Sequence, residues 1–430
     1  MGVVLILSSF IFGVWFRIYS LDVQVPWTDE LASIFFSKNL HRVFYTESHT
    51  PFYYGVLHFL FGDNVTIYSA RLFSAILSVF YLVLYFFLGR KTFQENAFVL
   101  FWILVCLSPV DIVFARQARH YAWVHEHVLL IGLLTKCQAS NKVLGISSLL
   151  SGFIHPFAAI PTVLLNVFKY FEDKNKRSLI VLLCASSFFL LYYLIRFYSL
   201  GIEQVGRNLL WNQQAITEFY QHLPLLFFGD SYPRSLFFPV PSVAVILGSI
   251  STLVFFTFYR TKEIGQWLII FLISILAIEI LSFWVNFRSA RYLVYLPALL
   301  IFSISLSAKK ISEWILVVIS LVMLSYLSSI SILTPHEWED VAASRYLILK
   351  KQHPEASDLV CANTYQADYY GFNKDRLCSY GSISLNGNKP ILFMDFNGDS
   401  LGIVIQLMNI MRPTYNEKFR KGQIILFEPK

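Results

Sequence analysis

The stretch VLGISSLLSGFIHPFAAIPTVLLNVF, residues 143–168, decides the topology of this chain. It is apolar and longer than the roughly 20 residues that one membrane span needs, and His155 and Pro156 stand in its middle. Because proline lacks a backbone N–H and clashes with the preceding turn, it kinks or breaks a helix. The stretch is therefore either one long kinked helix or two short helices that meet at the His-Pro turn.

The composition around this stretch is that of a polytopic membrane protein. Of the 430 residues, 56% are hydrophobic and 14% are charged, against about 25% charged in ordinary soluble domains. The net charge is +7, but most basic residues lie in short loops between apolar runs. This distribution is a topology signal of membrane proteins and indicates no nucleic-acid partner. The N-terminus has no basic n-region and no small-residue cleavage site, which indicates a retained span rather than a signal peptide.

Nine further apolar runs are candidate spans. They are residues 1–21, 66–88, 97–112, 118–135, 178–198, 237–258, 266–285, 291–307 and 312–333. The basic residues of the short loops, which the positive-inside rule places in the cytoplasm, are Arg90 and Lys91; Lys136 and Lys142; Lys169, Lys174, Lys176 and Arg177; Arg260 and Lys262; Lys309 and Lys310. These loops all fall on one face only if 143–168 crosses twice. We therefore predict a polytopic α-helical protein of the plasma (inner) membrane, with about eleven transmembrane helices and its N-terminus inside.

This topology predicts two domains. Residues 1–334 are expected to form a transmembrane domain with a large outer loop, 22–65, and a second outer loop, 199–236. Residues 335–430 form a small soluble α/β domain outside the cytoplasm, because an amphipathic helix pattern at 337–352 is followed by the short β-type runs DLVCA, PILFMDF and QIILFE. Cys361 and Cys378 of this domain could form a disulfide in that compartment.

The first candidate for chemistry is the pair Asp29 and Glu30 in PWTDELASIFFSKNL, residues 26–40. Thr28 could be a helix N-cap, with both acids in the first turn, where the helix dipole favours negative charge. The alternative is a functional pair, since the acids follow a span directly and open an amphipathic helix at the membrane surface.

The second candidate is a set of arginines at outer membrane ends, against the positive-inside trend. They are Arg71, Arg116, Arg119, Arg288 and Arg291. Such residues often extend to the interface or pair there. Several of them together indicate an anionic ligand, and the planar guanidinium fork suits phosphate.

Other polar residues leave alternatives open. Asp111, at the outer end of the third span, either pairs with one of those arginines or is a second active-site acid. His120, His125 and His127 resemble a metal cluster together with Glu126, but their spacing does not place all three on one helical face.

Five features follow one another in an order that resembles a known family. Asp29-Glu30 follows the first span, and SHTPFYY (48–54) comes later in the outer loop. RLFSAILSVFYLVLYFFLGRK (71–91) forms the second span, SPVDIVFARQARHYAW (108–123) joins the third to the fourth, and ARYLVYLPAL (290–299) precedes the last. Over residues 1–334 this order resembles the GT-C fold glycosyltransferases that use polyprenyl-phosphate sugars, relatives of the protein O-mannosyltransferases and the lipid A aminoarabinose transferase.

The resemblance implies roles for individual residues. It makes Asp29 the catalytic base and Glu30 its neighbour in the acidic motif. Eight further residues are expected to bind substrate, because they match a family motif or carry a charge at the outer end of a predicted span. They are His49, Arg71, Asp111, Arg119, Tyr121, Arg288, Arg291 and Tyr292. The chain departs from the family at Gln117, where relatives often carry Glu.

The implied activity is inverting transfer of a sugar from a lipid-linked donor, a polyprenyl-phosphate sugar, to an envelope glycan, lipid or protein. The active site is expected to face the periplasm or exterior, in contact with membrane lipids. Asp29 and Glu30 are the ligands of a divalent cation if one takes part. Two alternatives stay open: a secondary transporter or lipid flippase, which predicts an internal repeat and broken helices with polar groups at mid-membrane, and a non-catalytic assembly subunit, which requires the acidic pair to be only a cap.

Overall fold

The computed structural model describes residues 2–22, 26, 28–46, 51–173, 296–307, 311–329, 346, 348–355, 357–361, 391–395, 415–421 and 424–429. The expected spans 178–198, 237–258 and 266–285, and the second outer loop 199–236, lie outside these residues.

Helices make up most of the described chain. They are α1 (Gly2–Ile18), α2 (Thr28–Lys38), α3 (Leu40–Thr46), α4 (Phe52–Phe61), α5 (Ile67–Thr92), α6 (Glu95–Cys106), α7 (Pro109–Ala115), α8 (Tyr121–Lys136), α9 (Asn141–Ile154), α10 (Pro156–Asp173), α11 (Leu296–Ser307) and α12 (Glu313–Ser329). A 3₁₀ turn at Gly62–Asn64 follows α4.

Local sequence explains where these helices begin and end. Thr66 caps α5 in a reciprocal capping box: its hydroxyl accepts from the Ser69 N–H at 3.1 Å, and the Ser69 hydroxyl accepts from the Thr66 N–H at 2.9 Å. Ser108 caps α7, with Pro109 in its first turn. Since a residue before proline is disfavoured in a helix, this Ser-Pro pair interrupts the apolar run 97–112 and separates α6 from α7.

The stretch 143–168 forms two helices that fold back on each other. α9 ends before His155 and α10 begins at Pro156. The Asn166 amide donates to the Ser148 hydroxyl at 2.8 Å, so residues on opposite sides of the break lie side by side. We call this pair of helices the His-Pro hairpin. Of the two possibilities left open by the sequence, the structure shows two helices that meet at His155 and Pro156 rather than one long kinked helix.

Buried charges and exposed apolar helix faces distinguish the described residues from a soluble domain. Arg17, Asp111 and Glu126 are almost fully buried, whereas α1, α5 and α12 expose large apolar side chains: Ile11, Trp15, Ile76, Phe80, Phe87, Trp314 and Val322. Such extended apolar exposure is expected of helices that face lipid and unusual for a soluble monomer.

One described helix, Ile67–Thr92, is long and apolar enough to cross a membrane by itself. Glu95–Cys106 and Pro109–Ala115 meet the same criterion only if they are taken together as one span bent by 41°. Shorter apolar helices cover Gly2–Ile18, Asn141–Ile154, Ala158–Val167 and Glu313–Ser325. The expected number of about eleven spans stays a prediction.

The chain divides into two compact units. The first comprises residues 1–21 and 36–332, and the second comprises residues 22–35 and 333–430. Asp29 and Glu30 belong to the second of these units. The division into a membrane domain, 1–334, and a soluble domain, 335–430, stays a prediction.

The second unit contains a four-stranded sheet. Its strands are β1 (Ser357–Cys361), β2 (Ile391–Asp395), β3 (Tyr415–Lys421) and β4 (Ile424–Pro429), in the order β1-β2-β4-β3. β1 and β2 are parallel, with Ser357 opposite Ile391, and the other pairs are antiparallel. The three runs expected to be strands overlap β1, β2 and β4, and a helical stretch at 348–352 falls within the expected amphipathic helix.

Candidate active site

The structure describes six of the ten expected site residues. Asp29, Glu30, Arg71, Asp111, Arg119 and Tyr121 lie in described helices or in the link before α8. The other four, His49, Arg288, Arg291 and Tyr292, lie outside the described residues. Cys378, the expected disulfide partner of Cys361, also lies outside them.

Asp29 and Glu30 stand in the first turn of α2 and differ in exposure. The Glu30 side chain is buried, at 2% exposed, whereas Asp29 is only partly buried. The Ser33 hydroxyl donates to the backbone carbonyl of Asp29 at 3.0 Å. The partly exposed carboxylate of Asp29 is thus the one of the two that solvent or a substrate reaches more easily.

Asp111 is part of a buried ion pair with Arg17. Arg17 Nη2 lies 2.5 Å from Asp111 Oδ2, and the side chains are 0% and 1% exposed. His125 Nδ1 lies 3.2 Å from the other Asp111 carboxylate oxygen. The partner of Asp111 is therefore an arginine of the first helix, which was not in the expected set of partners.

Arg17 uses all five of its N–H groups. Besides Asp111, it donates to the Ser78 hydroxyl and to three backbone carbonyls: Gly13, Val105 and Cys106. The guanidinium thereby joins α1 to α5, α6 and α7. Its first role is to hold the helices of the first unit together.

The three histidines considered as a metal cluster diverge. The Nε2–H of His127 donates to the Ser147 carbonyl at 2.7 Å, and its Nδ1 lies 3.1 Å from the Tyr81 hydroxyl. The ring of His120 instead stacks on His155, with centroids 4.9 Å apart. Within the described ranges, no group of three or more His, Cys, Asp or Glu side chains could hold a metal ion.

Arg116 and Arg71 fix the chain where it leaves α1. Arg116 donates to the backbone carbonyls of Phe16, Tyr19 and Ser20 at 2.9, 2.6 and 3.2 Å. Arg71 donates to the next carbonyl, that of Leu21, at 2.8 Å. Burial, together with the positive charge of Arg71, lowers the pKa of Arg116 to about 10, so its guanidinium stays charged at neutral pH.

Arg119 has a different environment. Nη1 donates to the Tyr54 hydroxyl at 3.2 Å and Nη2 to the Tyr121 hydroxyl at 3.4 Å. The guanidinium carbon lies 5.4 Å from the centre of the Tyr121 ring, a distance at which a cation is attracted to the aromatic face. Arg119 is 2% exposed. Phenols from α4 and α8 thus orient a buried guanidinium between α7 and α8.

A cluster of aromatic rings adjoins Tyr54, one of the two tyrosines that contact this arginine. Tyr53 packs edge-on against Tyr54, His120 and Trp123, with centroids 5.9, 6.1 and 5.1 Å apart. His155, at the tip of the His-Pro hairpin, completes the cluster through its stack on His120. Tyr54 was not among the expected site residues; its only sequence signal was its place in SHTPFYY.

No protein-family model matches this chain, and no curated protein matches it. Among solved structures, the crystal structure of ArnT from Cupriavidus metallidurans bound to undecaprenyl phosphate is similar at 13% identity, covering 99% of this chain and 97% of that chain with a TM-score of 0.49. The Archaeoglobus fulgidus oligosaccharyltransferase in complex with Zn and sulfate is similar at 14% identity, covering 88% of this chain and 59% of that chain with a TM-score of 0.41.

The A. fulgidus oligosaccharyltransferase AglB with an inhibitory peptide and a dolichol-phosphate is similar at 12% identity, covering 89% of this chain and 61% of that chain with a TM-score of 0.38. ArnT, the lipid A aminoarabinose transferase, and AglB are GT-C fold enzymes, the group that the sequence resembles. At these identities no residue role passes from them to this chain.

Proposed function

We propose that this chain is an inverting glycosyltransferase of the plasma membrane. It moves a sugar from a polyprenyl-phosphate donor to a lipid, polysaccharide or protein of the cell envelope, at the outer face of the membrane. Asp29 is the base, and Arg119 holds the donor phosphate. Among the residues outside the described ranges, His49, Arg288, Arg291 and Tyr292 are proposed to contact the substrates.

The chemistry asks for few groups. A glycosyl phosphate carries its own leaving group, so expulsion needs no general acid. One carboxylate must accept the proton of the acceptor hydroxyl, and cations must stabilise the departing phosphate. Direct displacement by the acceptor inverts the anomeric centre, whereas retention usually needs a second carboxylate as nucleophile.

The observation that carries the proposal is the setting of Arg119. Arg17, Arg71 and Arg116 all donate to backbone carbonyls that end or join helices. The guanidinium of Arg119 donates to the hydroxyls of Tyr54 and Tyr121, and the side chain is buried. Such a preorganised, buried fork suits the oxygens of a phosphate, and we propose that Tyr121 contacts the same group.

Arg71 and Asp111 are proposed to serve the site indirectly. Their contacts with Leu21 and with Arg17 hold the end of α1 against α5 and α7. We propose that they keep the segment around Arg119 in place, and that Asp111 is a paired acid rather than a second active-site acid.

Asp29 is proposed as the base because it is the more exposed acid of its pair, while Glu30 is buried. These two adjacent carboxylates are the residues that would hold a divalent cation. Two carboxylates are fewer protein ligands than catalytic zinc takes, but they match the one or two carboxylates that usually hold Mg²⁺ beside substrate phosphates. A cation bound there would neutralise negative charge on the donor phosphate.

The test is glycosyl transfer by the purified chain and by cells that lack it. Mass spectrometry of envelope glycans and lipid-linked sugars should show one polyprenyl-phosphate sugar accumulating and one modification lost when the gene is deleted. Asp29→Asn keeps a residue that suits a helix start, so it should fold normally and fail to restore the modification. Restoration by Asp29→Asn at the wild-type level would refute Asp29 as the base, and an unchanged glycan profile in the deletion strain would refute the transferase itself.

A further inference from the structure

Gln117 lies in the buried link between α7 and α8, and its side chain is unsatisfied. It is 4% exposed, and neither its amide nitrogen nor its amide oxygen has a hydrogen-bond partner within the described part of the chain. Its backbone, in contrast, is fully engaged: the N–H donates to the Phe114 carbonyl at 3.2 Å, and the carbonyl accepts from the Arg119 N–H at 2.8 Å. The local fold therefore requires nothing from the amide group.

Two neighbouring arginines and a second buried amide differ from Gln117, because each of them has at least one hydrogen-bond partner in the protein. Arg116, one residue earlier, donates to three carbonyls at the end of α1, and Arg119, two residues later, donates to two phenols. Asn166, another buried amide at 5% exposed, donates to the Ser148 hydroxyl at 2.8 Å. An amide buried without partners destabilises a fold, and such groups are rare in proteins. The amide of Gln117 thus points to a polar ligand that the protein alone does not supply.

We infer that the Gln117 amide binds a hydroxyl group of the sugar that is transferred. This inference rests on the proposed function, in which Arg119 holds the phosphate to which that sugar is attached. A primary amide offers N–H donors and a carbonyl acceptor, and a sugar hydroxyl both donates and accepts. A phosphate oxygen would engage only the donors, and a polyprenyl chain would engage neither group.

The amide also sets a preference among sugars. A site with buried groups that pair with a hydroxyl discriminates strongly against a ligand without that hydroxyl, because the protein groups are then left unpaired. Gln117 is therefore a specificity-determining residue for the donor. A glutamate in its place offers only acceptors when ionised and engages a different set of hydroxyl protons.

The test compares Gln117→Leu with Asn166→Leu in the full-length protein. Each variant replaces a buried amide by an apolar side chain of similar size. Binding is measured for undecaprenyl phosphate and for undecaprenyl phosphate carrying glucose, galactose or arabinose, and thermal unfolding is followed in the same detergent.

We expect the wild type to bind at least one sugar-bearing lipid more tightly than undecaprenyl phosphate. Gln117→Leu should bind that lipid roughly tenfold more weakly and the bare lipid about as well as the wild type, with an unfolding temperature that is equal or higher. Asn166→Leu should unfold at a lower temperature and keep the sugar preference.

Two results would overturn the inference in different ways. A wild-type protein that binds none of these lipids overturns the proposed function and the role of Gln117 with it. If the wild type prefers a sugar-bearing lipid and Gln117→Leu retains the whole preference, the transferase proposal stands and the role of Gln117 is wrong. Buried water as the sole partner of the amide would give this second result.

Discussion

Arg17 and Asp111 form a buried ion pair, with 2.5 Å between Nη2 and Oδ2 and exposures of 0% and 1%. The two residues are 94 positions apart, and their contact joins the last turn of α1 to the first turn of α7. Arg116 makes the reverse connection, from the end of α7 to the carbonyls after α1. Each of the two helices thus contributes one arginine that binds the other helix or the residues at its end. The segment between α7 and α8, which contains Gln117 and Arg119, begins at these contacts.

Removing one partner of the Arg17–Asp111 pair should unfold the first unit more readily. Breaking a buried ion pair leaves an uncompensated charge and costs about 3–5 kcal/mol. We therefore expect Arg17→Met and Asp111→Leu each to lower the unfolding temperature strongly in detergent. The double variant should lose less stability than the two single losses added together, since no lone charge remains. Strictly additive losses in this double-mutant cycle would show that the two side chains are not coupled.

Gly13 permits the close approach of α1 to α6. A Cβ atom at this position would lie 2.6 Å from the Cys106 carbonyl oxygen, the same oxygen that accepts from Arg17. Gly13→Ala should push the helices apart and cost about 1–3 kcal/mol.

Gly55→Ala is the matched control, since a Cβ atom at this position in α4 meets nothing within 4 Å. Alanine favours a helix over glycine by about 1 kcal/mol, so this variant should unfold at the same or a higher temperature. Thermal unfolding of both variants measures the difference, and equal effects would mean that α1 and α6 are not in close contact.

Apolar length predicted most helices of the first unit, because a span must bury every backbone polar group within one continuous helix. The expected runs 66–88 and 118–135 correspond to Ile67–Thr92 and Tyr121–Lys136. The break at Ser108 inside 97–112 was not predicted, since hydropathy averages over many residues and a cap acts at one. The strand Tyr415–Lys421 was also not expected, because its sequence is polar and its pairing with β4 depends on tertiary context.

The candidate site was predicted less completely, because residues that contact one another there are far apart in the sequence. Sequence spacing predicts that Asp111 and several arginines share one membrane layer. It does not predict which arginine meets the acid when the partners are 94 residues apart. Gln117 was noticed only as a departure from the family pattern. Its burial and its lack of partners are properties of the packed link between α7 and α8, and neighbouring residues in sequence do not reveal them.

Arg116 and Arg119, three positions apart, should give opposite results on substitution. Arg116→Ala removes three hydrogen bonds to the end of α1, so it should lower the unfolding temperature and reduce activity only in proportion to the folded fraction. Arg119→Lys keeps the charge but loses the planar fork, so the fold should persist while transfer falls by on the order of 100-fold. The measurements are thermal unfolding and initial rates against donor concentration. If the folded Arg119→Lys variant transferred sugar at the wild-type rate, the proposal that Arg119 binds the donor phosphate would be wrong.

The His-Pro hairpin predicts which side of the membrane its two ends occupy. Because α9 and α10 fold back on each other at His155, the residues before α9 and after α10 should both face the cytoplasm. The five native cysteines are first replaced by serine. A single cysteine is then introduced at Ser140, which is exposed, or at Lys176. A membrane-impermeant thiol reagent should modify neither cysteine in intact cells and both in inverted vesicles. Modification of the two positions from opposite sides would mean that 143–168 crosses the membrane once, and the assignment of all basic loops to one face would fail with it.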